Sequence, residues 1–135
     1  QDLTLFQAVA LASIIQREAV RVDEMPLISS VYRNRLAANM RLEADPTVQY
    51  GIGLRDGRWW PQITQADYSS AVSPYNTYLN SGLPPGPIAS PGLAAIHAAL
   101  APEASPYYFF RAACDGSGYH VFAVSFDEHV GNACP

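Results

Sequence analysis

The sequence predicts an α+β fold: a single domain with N-terminal helices, a Pro/Gly-rich irregular middle and a C-terminal β-hairpin. Three observations predict it. Apolar residues recur at helical spacing over positions 4–39. Five of the eleven prolines and three of the nine glycines crowd into positions 73–92. Two aromatic and β-branched runs near the end flank a glycine-containing turn. Helices, loops, a helix and then a hairpin do not alternate as βα units do, so a parallel sheet is not expected. A chain of 135 residues suits one domain with its own core.

The first helix is expected over 4–21. Thr4 followed by Gln7 has capping-box spacing, and Leu5, Ala8, Leu11, Ala12, Ile14, Ile15 and Ala19 form one face. A second runs from Asp23, a candidate N-cap, to Asn39, with Pro26 in its first turn and Leu27, Ile28, Val31, Tyr32 and Leu36 on one face. Asp45 as a cap and Pro46 at the first helical position predict a short helix to Tyr50, ended by Gly51 and Gly53. Arg55 to Arg58 reads as a turn, and Thr64 as the cap of a short helix through Tyr68. The stretch SPYNTYLNSGLPPGPIASPG (73–92) excludes a long helix or central strand. Ser90 and Pro91 then open a helix through Leu100. Strands are expected at 107–113 and 119–126, with a last helical turn from Asp127 to Val130.

Composition excludes several function classes. With 49% hydrophobic and 15% charged residues the chain is not disordered. No run reaches the roughly 18 apolar residues of a membrane span, and no signal peptide opens the chain. Because it starts at Gln1, an excised or processed fragment is expected. The formal net charge is −4, lysine is absent and the eight arginines are scattered, which does not suit nucleic acid. Nucleotide-binding and nucleophile-elbow motifs are missing. His97, His120 and His129 lack metal-ligand spacing, and neither metal nor cofactor is expected. Cys114 and Cys134 are too few for a disulfide scaffold, although they suffice for one bridge.

One carboxylate stands out. At about 100° per residue, Ser13, Gln16 and Arg17 fill the polar arc of the first helix, whereas Glu18 projects among Leu11, Ile14 and Ile15. An unpartnered carboxyl there costs several kcal/mol when ionised, so it stays protonated, as general-acid cleavage of a glycosidic bond requires. The alternative is a structural ion pair with Arg35, which lies in the apolar arc of the second helix between Ile28 and Val31. Glu43 and Asp45 are candidates for a second carboxylate. Trp59, Trp60, Tyr75 and Tyr78, interleaved with Asn76, Thr77 and Asn80, suit either a sugar groove or a core.

Five segments together resemble the endolytic murein transglycosylase family, also called MltG or YceG-like. They are LASIIQREA (11–19), VYRNRL (31–36), MRLEADPTVQYGIG (40–53), SPYNTYLNSGLPPGPIASPG (73–92) and YYFFRAACDGSGYHVFAVSFDEH (107–129). The resemblance implies an enzyme of the bacterial cell envelope that cuts nascent peptidoglycan strands between N-acetylmuramic acid and N-acetylglucosamine, leaving a 1,6-anhydromuramic end. It places the catalytic glutamate on Glu18, and Gln16 stands where many members carry a second glutamate. Asn76, Tyr75 and Thr77 of YNTY, and after them Gln49 and His120, are the candidates for positioning substrate or stabilising the oxocarbenium-like state; a purely structural role stays open for each. The membrane helix and LysM-like subdomain usual in the family are absent, so the expectation is an isolated catalytic domain, membrane-anchored in the full-length protein. Peptidoglycan strands and the cell-wall synthesis machinery are the implied partners. An extracytoplasmic setting agrees with a Cys114–Cys134 disulfide tying the hairpin to the C-terminus. Two other functions stay open: a hydrolytic muramidase using Glu18 with Asp45 or Glu43, and a non-catalytic glycan-binding module in which Glu18 pairs with Arg35.

Overall fold

The computed structural model describes residues 2–135. In chain order the elements are α1 (Leu5–Glu18), a 3-10 turn (Val22–Glu24), α2 (Met25–Ala37), α3 (Asp45–Ile52), α4 (Asp67–Ser70), α5 (Leu93–Leu100), β1 (Phe109–Ala112), β2 (His120–Ala123) and α6 (Phe126–Gly131). α1 is the central rod. Its apolar face (Leu11, Ala12, Ile14, Ile15) packs on Met25, Ile28 and Tyr32 of α2 and on Ala95, Ala98 and Ala99 of α5. The alanines of α5 let its backbone come close to α1. The expected capping box forms, with the Thr4 hydroxyl accepting from the Gln7 N–H at 3.1 Å and the Gln7 side chain accepting from the Thr4 N–H at 2.9 Å.

The irregular segment covers the side of α1 that the wheel assigned to water. Ser13 is fully buried, and its hydroxyl accepts the Ile88 N–H at 3.0 Å. Gln16 Oε1 accepts the Gly92 N–H at 2.9 Å. A stretch rich in proline has few N–H groups to satisfy, and these two are docked on α1. Consequently α5 is capped at Gly92 rather than at Ser90, and it starts two residues after Pro91.

Other element ends differ from expectation for long-range reasons. α1 stops at Glu18 instead of 21, because Ala19 is extended and the chain is drawn to the hairpin turn. There Arg21 Nε donates to the Ser117 carbonyl at 2.8 Å, and Val20 leaves no room for a side chain at Gly118. Asp23 does not cap α2. It accepts the Tyr119 hydroxyl at 3.0 Å, and a 3-10 turn precedes α2. Asp45 is the first helical residue of α3 and Ala44 its cap. Thr64 does not cap α4; the Thr64 N–H donates to the Asp67 carboxylate at 2.8 Å. The turn at Arg55 to Arg58 forms as expected.

The hairpin pairs Phe109 with Ala123, Phe110 with Phe122, Arg111 with Val121 and Ala112 with His120, antiparallel. It is shorter than the aromatic runs because the N–H groups that flank β2 bond elsewhere. Tyr119 donates to the Ser117 hydroxyl at 3.2 Å and Val124 to Glu128 Oε1 at 2.8 Å. Ser125 then caps α6 by accepting from Glu128. The Cys114–Cys134 disulfide is present and ties the hairpin turn to the chain beyond α6. No helix among the described residues is long and apolar enough to cross a membrane.

Candidate active site

Because α1 ends at Glu18, the carboxyl sits where the helix's apolar face meets an opening. It is partly buried on the wall of a cavity of about 390 Å³. Tyr32 and Arg35 of α2, Asp45 of α3, Tyr68 of α4, Tyr78, Phe110 and His120 of the hairpin, and Phe126 and His129 of α6 also line it. Burial, and secondarily the Asp45 carboxylate, push the Glu18 carboxyl from its ordinary 4.5 up to about 8. The negative end of the α1 dipole does nothing to favour the anion. At neutral pH Glu18 is therefore mainly a proton donor.

Arg35 does not pair with it. Its Nε donates to the Tyr108 carbonyl at 2.7 Å and its Nη1 to the Arg41 carbonyl at 2.7 Å, while its guanidinium lies 4.8 Å over the Phe109 ring. Its carboxylate neighbour is Glu43, at 3.7 Å and half-exposed. Arg35 thus stitches α2 to both walls of the cavity. No described residue gives the Glu18 carboxyl a hydrogen bond or an ion pair.

Asp45 is held by two phenols. The Tyr78 hydroxyl donates to Oδ1 at 2.6 Å and the Tyr68 hydroxyl to Oδ2 at 3.2 Å. The two rings stack 3.9 Å apart at 7° between planes. Burial chiefly raises both phenols, so they remain donors. The cavity therefore presents three acidic side chains: Glu18, which holds its proton; Asp45, fixed in place by two phenols; and the half-exposed Glu43 beside Arg35.

The remaining expected site residues divide. His120 reaches the cavity, where Glu24 Oε2 lies 2.8 Å from its Nδ1 and Glu24 Oε1 accepts its backbone N–H at 2.7 Å. Asn76 and Thr77 do not. Asn76 is 0% exposed; its amide donates to the Tyr68 and Ala71 carbonyls and accepts the Tyr78 N–H. The Thr77 hydroxyl meets the Thr47 hydroxyl at 2.8 Å and accepts the Ala44 N–H at 2.9 Å. Both are buried because they anchor the irregular segment to α3 and α4. Tyr75 packs on Tyr50 at 4.8 Å, and Gln49 lines a separate cavity with Tyr50, Trp59 and Trp60. The YNTY residue that enters the Glu18 cavity is Tyr78, which the sequence suggested only as one aromatic of a sugar groove or a core; Tyr32 and Tyr68, which the sequence did not single out for the site, join it there. Two tyrosines three apart in a loop carry no periodic signal of where they point.

The sequence profile of the YceG-like family matches residues 1–134, essentially the whole chain. The chain belongs to the YceG-like family. The domain is 38% identical over 127 residues to an endolytic murein transglycosylase of Bacillus subtilis, covering 94% of this chain and 33% of that protein. It is 30% identical over 133 residues to an endolytic murein transglycosylase of Streptococcus pneumoniae, covering 98% of this chain and 24% of that one. A crystal structure of a yceG-like protein from Listeria monocytogenes superposes with a TM-score of 0.79 at 42% identity, over 90% of this chain and 38% of that one. This YceG-like domain therefore spans about a third or less of the relatives it matches by sequence.

Proposed function

We propose that this YceG-like domain is the catalytic part of an endolytic lytic transglycosylase that cuts peptidoglycan strands in the cell envelope. The observation that carries the reading is the Glu18 carboxyl: protonated near neutral pH, on a cavity wall, with no protein partner among the described residues. Glu18 gives its proton to the glycosidic oxygen as the bond from the muramic C1 to that oxygen breaks. The carboxylate left behind takes the proton of the muramic C6 hydroxyl as that oxygen bonds to C1, closing the 1,6-anhydro ring. One residue serves as acid and then base, and water does not enter the products. Asp45, held by Tyr68 and Tyr78 in the same cavity, is the candidate to offset the positive charge of the oxocarbenium-like state.

Asp45 in the same cavity also keeps a hydrolytic muramidase in view. Both of its oxygens accept phenol hydrogen bonds, which suits a fixed charge better than a base that must move a proton. The non-catalytic alternative required a Glu18–Arg35 pair, and Arg35 is bonded elsewhere. Mass spectrometry of purified glycan strands after incubation with the chain is the test. Products one water lighter than hydrolysed muropeptides are expected; reducing ends alone would refute the transglycosylase reading.

A further inference from the structure

The chain's two tryptophans lie side by side, and both line the second cavity, of about 450 Å³, with Gln49, Tyr50, Gly53 and Ile88. Trp59 is 70% exposed, so its indole forgoes the burial that normally places this side chain inside. Trp60 is held at a φ of 57°, a left-handed conformation that bulky residues disfavour. The Arg17 guanidinium lies 3.8 Å over the Trp60 ring and helps hold it. Among the described residues no ionisable acid or base lines the cavity apart from the Tyr50 phenol, which points to an uncharged ligand rather than a phosphate or an acidic peptide. Gln49 Nε2 donates to the Pro61 carbonyl at 2.9 Å, which leaves the amide oxygen without a donor among the described residues. An exposed ring beside a free amide acceptor is what a pyranose needs: an apolar face to stack on, and an acceptor for a hydroxyl or an acetamido N–H.

We propose that this cavity is a second sugar subsite, which stacks an N-acetylated pyranose of the glycan strand on Trp59 away from the bond cut beside Glu18. The inference rests on the transglycosylase reading for its substrate and on the closeness of the two separate cavities along α1 and α3 for its geometry. Arg17 and Glu18 are consecutive on α1. Gln49 follows Asp45 on α3 by four residues, about 6 Å of helix rise, so the two cavities are neighbours along α3.

With no other tryptophan in the chain, any change in indole emission originates at this cavity. Tri-N-acetylchitotriose is titrated into the wild-type chain and into Glu18→Gln, with calorimetry in parallel. Saturable binding with an emission change is expected in both. Trp59→Ala, read through Trp60, weakens binding by about tenfold and Trp59→Phe restores most of it. On glycan strands Trp59→Ala raises KM about tenfold, with a smaller effect on kcat. No saturable binding at tens of millimolar, or equal binding by Trp59→Ala, overturns the subsite. Binding that depends on Trp59 in a chain that cuts nothing supports the subsite and counts against the catalytic reading. Cleavage without such binding overturns the subsite alone.

Discussion

Replacing Glu18 by glutamine removes a titrating group and keeps the shape of the protonated acid, so its effects on stability and on chemistry separate. Between pH 4.5 and about 8 the unfolded chain releases the Glu18 proton while the folded chain keeps it. Wild-type stability therefore falls as pH rises through that window and levels off above it. At about 1.4 kcal/mol per pH unit, the full window corresponds to about 5 kcal/mol. The carboxyl is only partly buried at a solvent-open cavity, and screening by water reduces this to about 2 to 3 kcal/mol. Glu18→Gln should then be more stable than wild type by about 2 to 3 kcal/mol at pH 8, or about 10 °C in Tm, with the gain gone by pH 4.5. Urea unfolding at both pH values measures it, and peptidoglycan cleavage by the same samples should be absent. A gain of the same size at both pH values, or none at pH 8, would show that the carboxyl is not desolvated and would remove the physical basis for Glu18 as acid.

Wild-type kcat/KM should decline as pH rises past about 8, where Glu18 loses its proton; in Asp45→Asn that limb should move to lower pH, by less than the whole displacement, because Asp45 is the smaller cause. Arg35→Ala strands carbonyls of Tyr108 and Arg41 and should destabilise by about 3 kcal/mol in urea, without moving the alkaline limb. Asn76→Ala, which deletes three hydrogen bonds of a buried side chain, should lower stability by about 3 kcal/mol, while saccharide titration of the folded protein shows unchanged affinity. The disulfide joins cysteines 20 residues apart; Cys114→Ser with Cys134→Ser should cost about 3 kcal/mol, with the added amide exchange concentrated in α6.

Much of the architecture was legible from short-range chemistry. The capping box at Thr4, the apolar stripe of α1, proline in the first turns of α2 and α3, and the glycines between two aromatic runs each act within a few residues. The single acid on the apolar stripe of α1 was legible on the same grounds, as was the density of proline between 73 and 92. What misled was one inference repeated in several places, that a polar residue at an expected cap position must cap. Asp23, Asp45 and Thr64 are all engaged with distant or neighbouring side chains instead.

By itself, then, the sequence determined where the helices lie to within a few residues of their ends, which helix face is apolar and that Glu18 lies on it, since 3.6-residue periodicity is a local property. Only the tertiary structure decided what surrounds that carboxyl. Tyr78 reaches Asp45 across 33 residues, and His120 reaches Glu24 across 96. Arg35 turns to backbone carbonyls that only the folded chain brings within reach. Whether a buried acid is paired or left to hold its proton depends on these distant partners, and no periodicity along the chain encodes them.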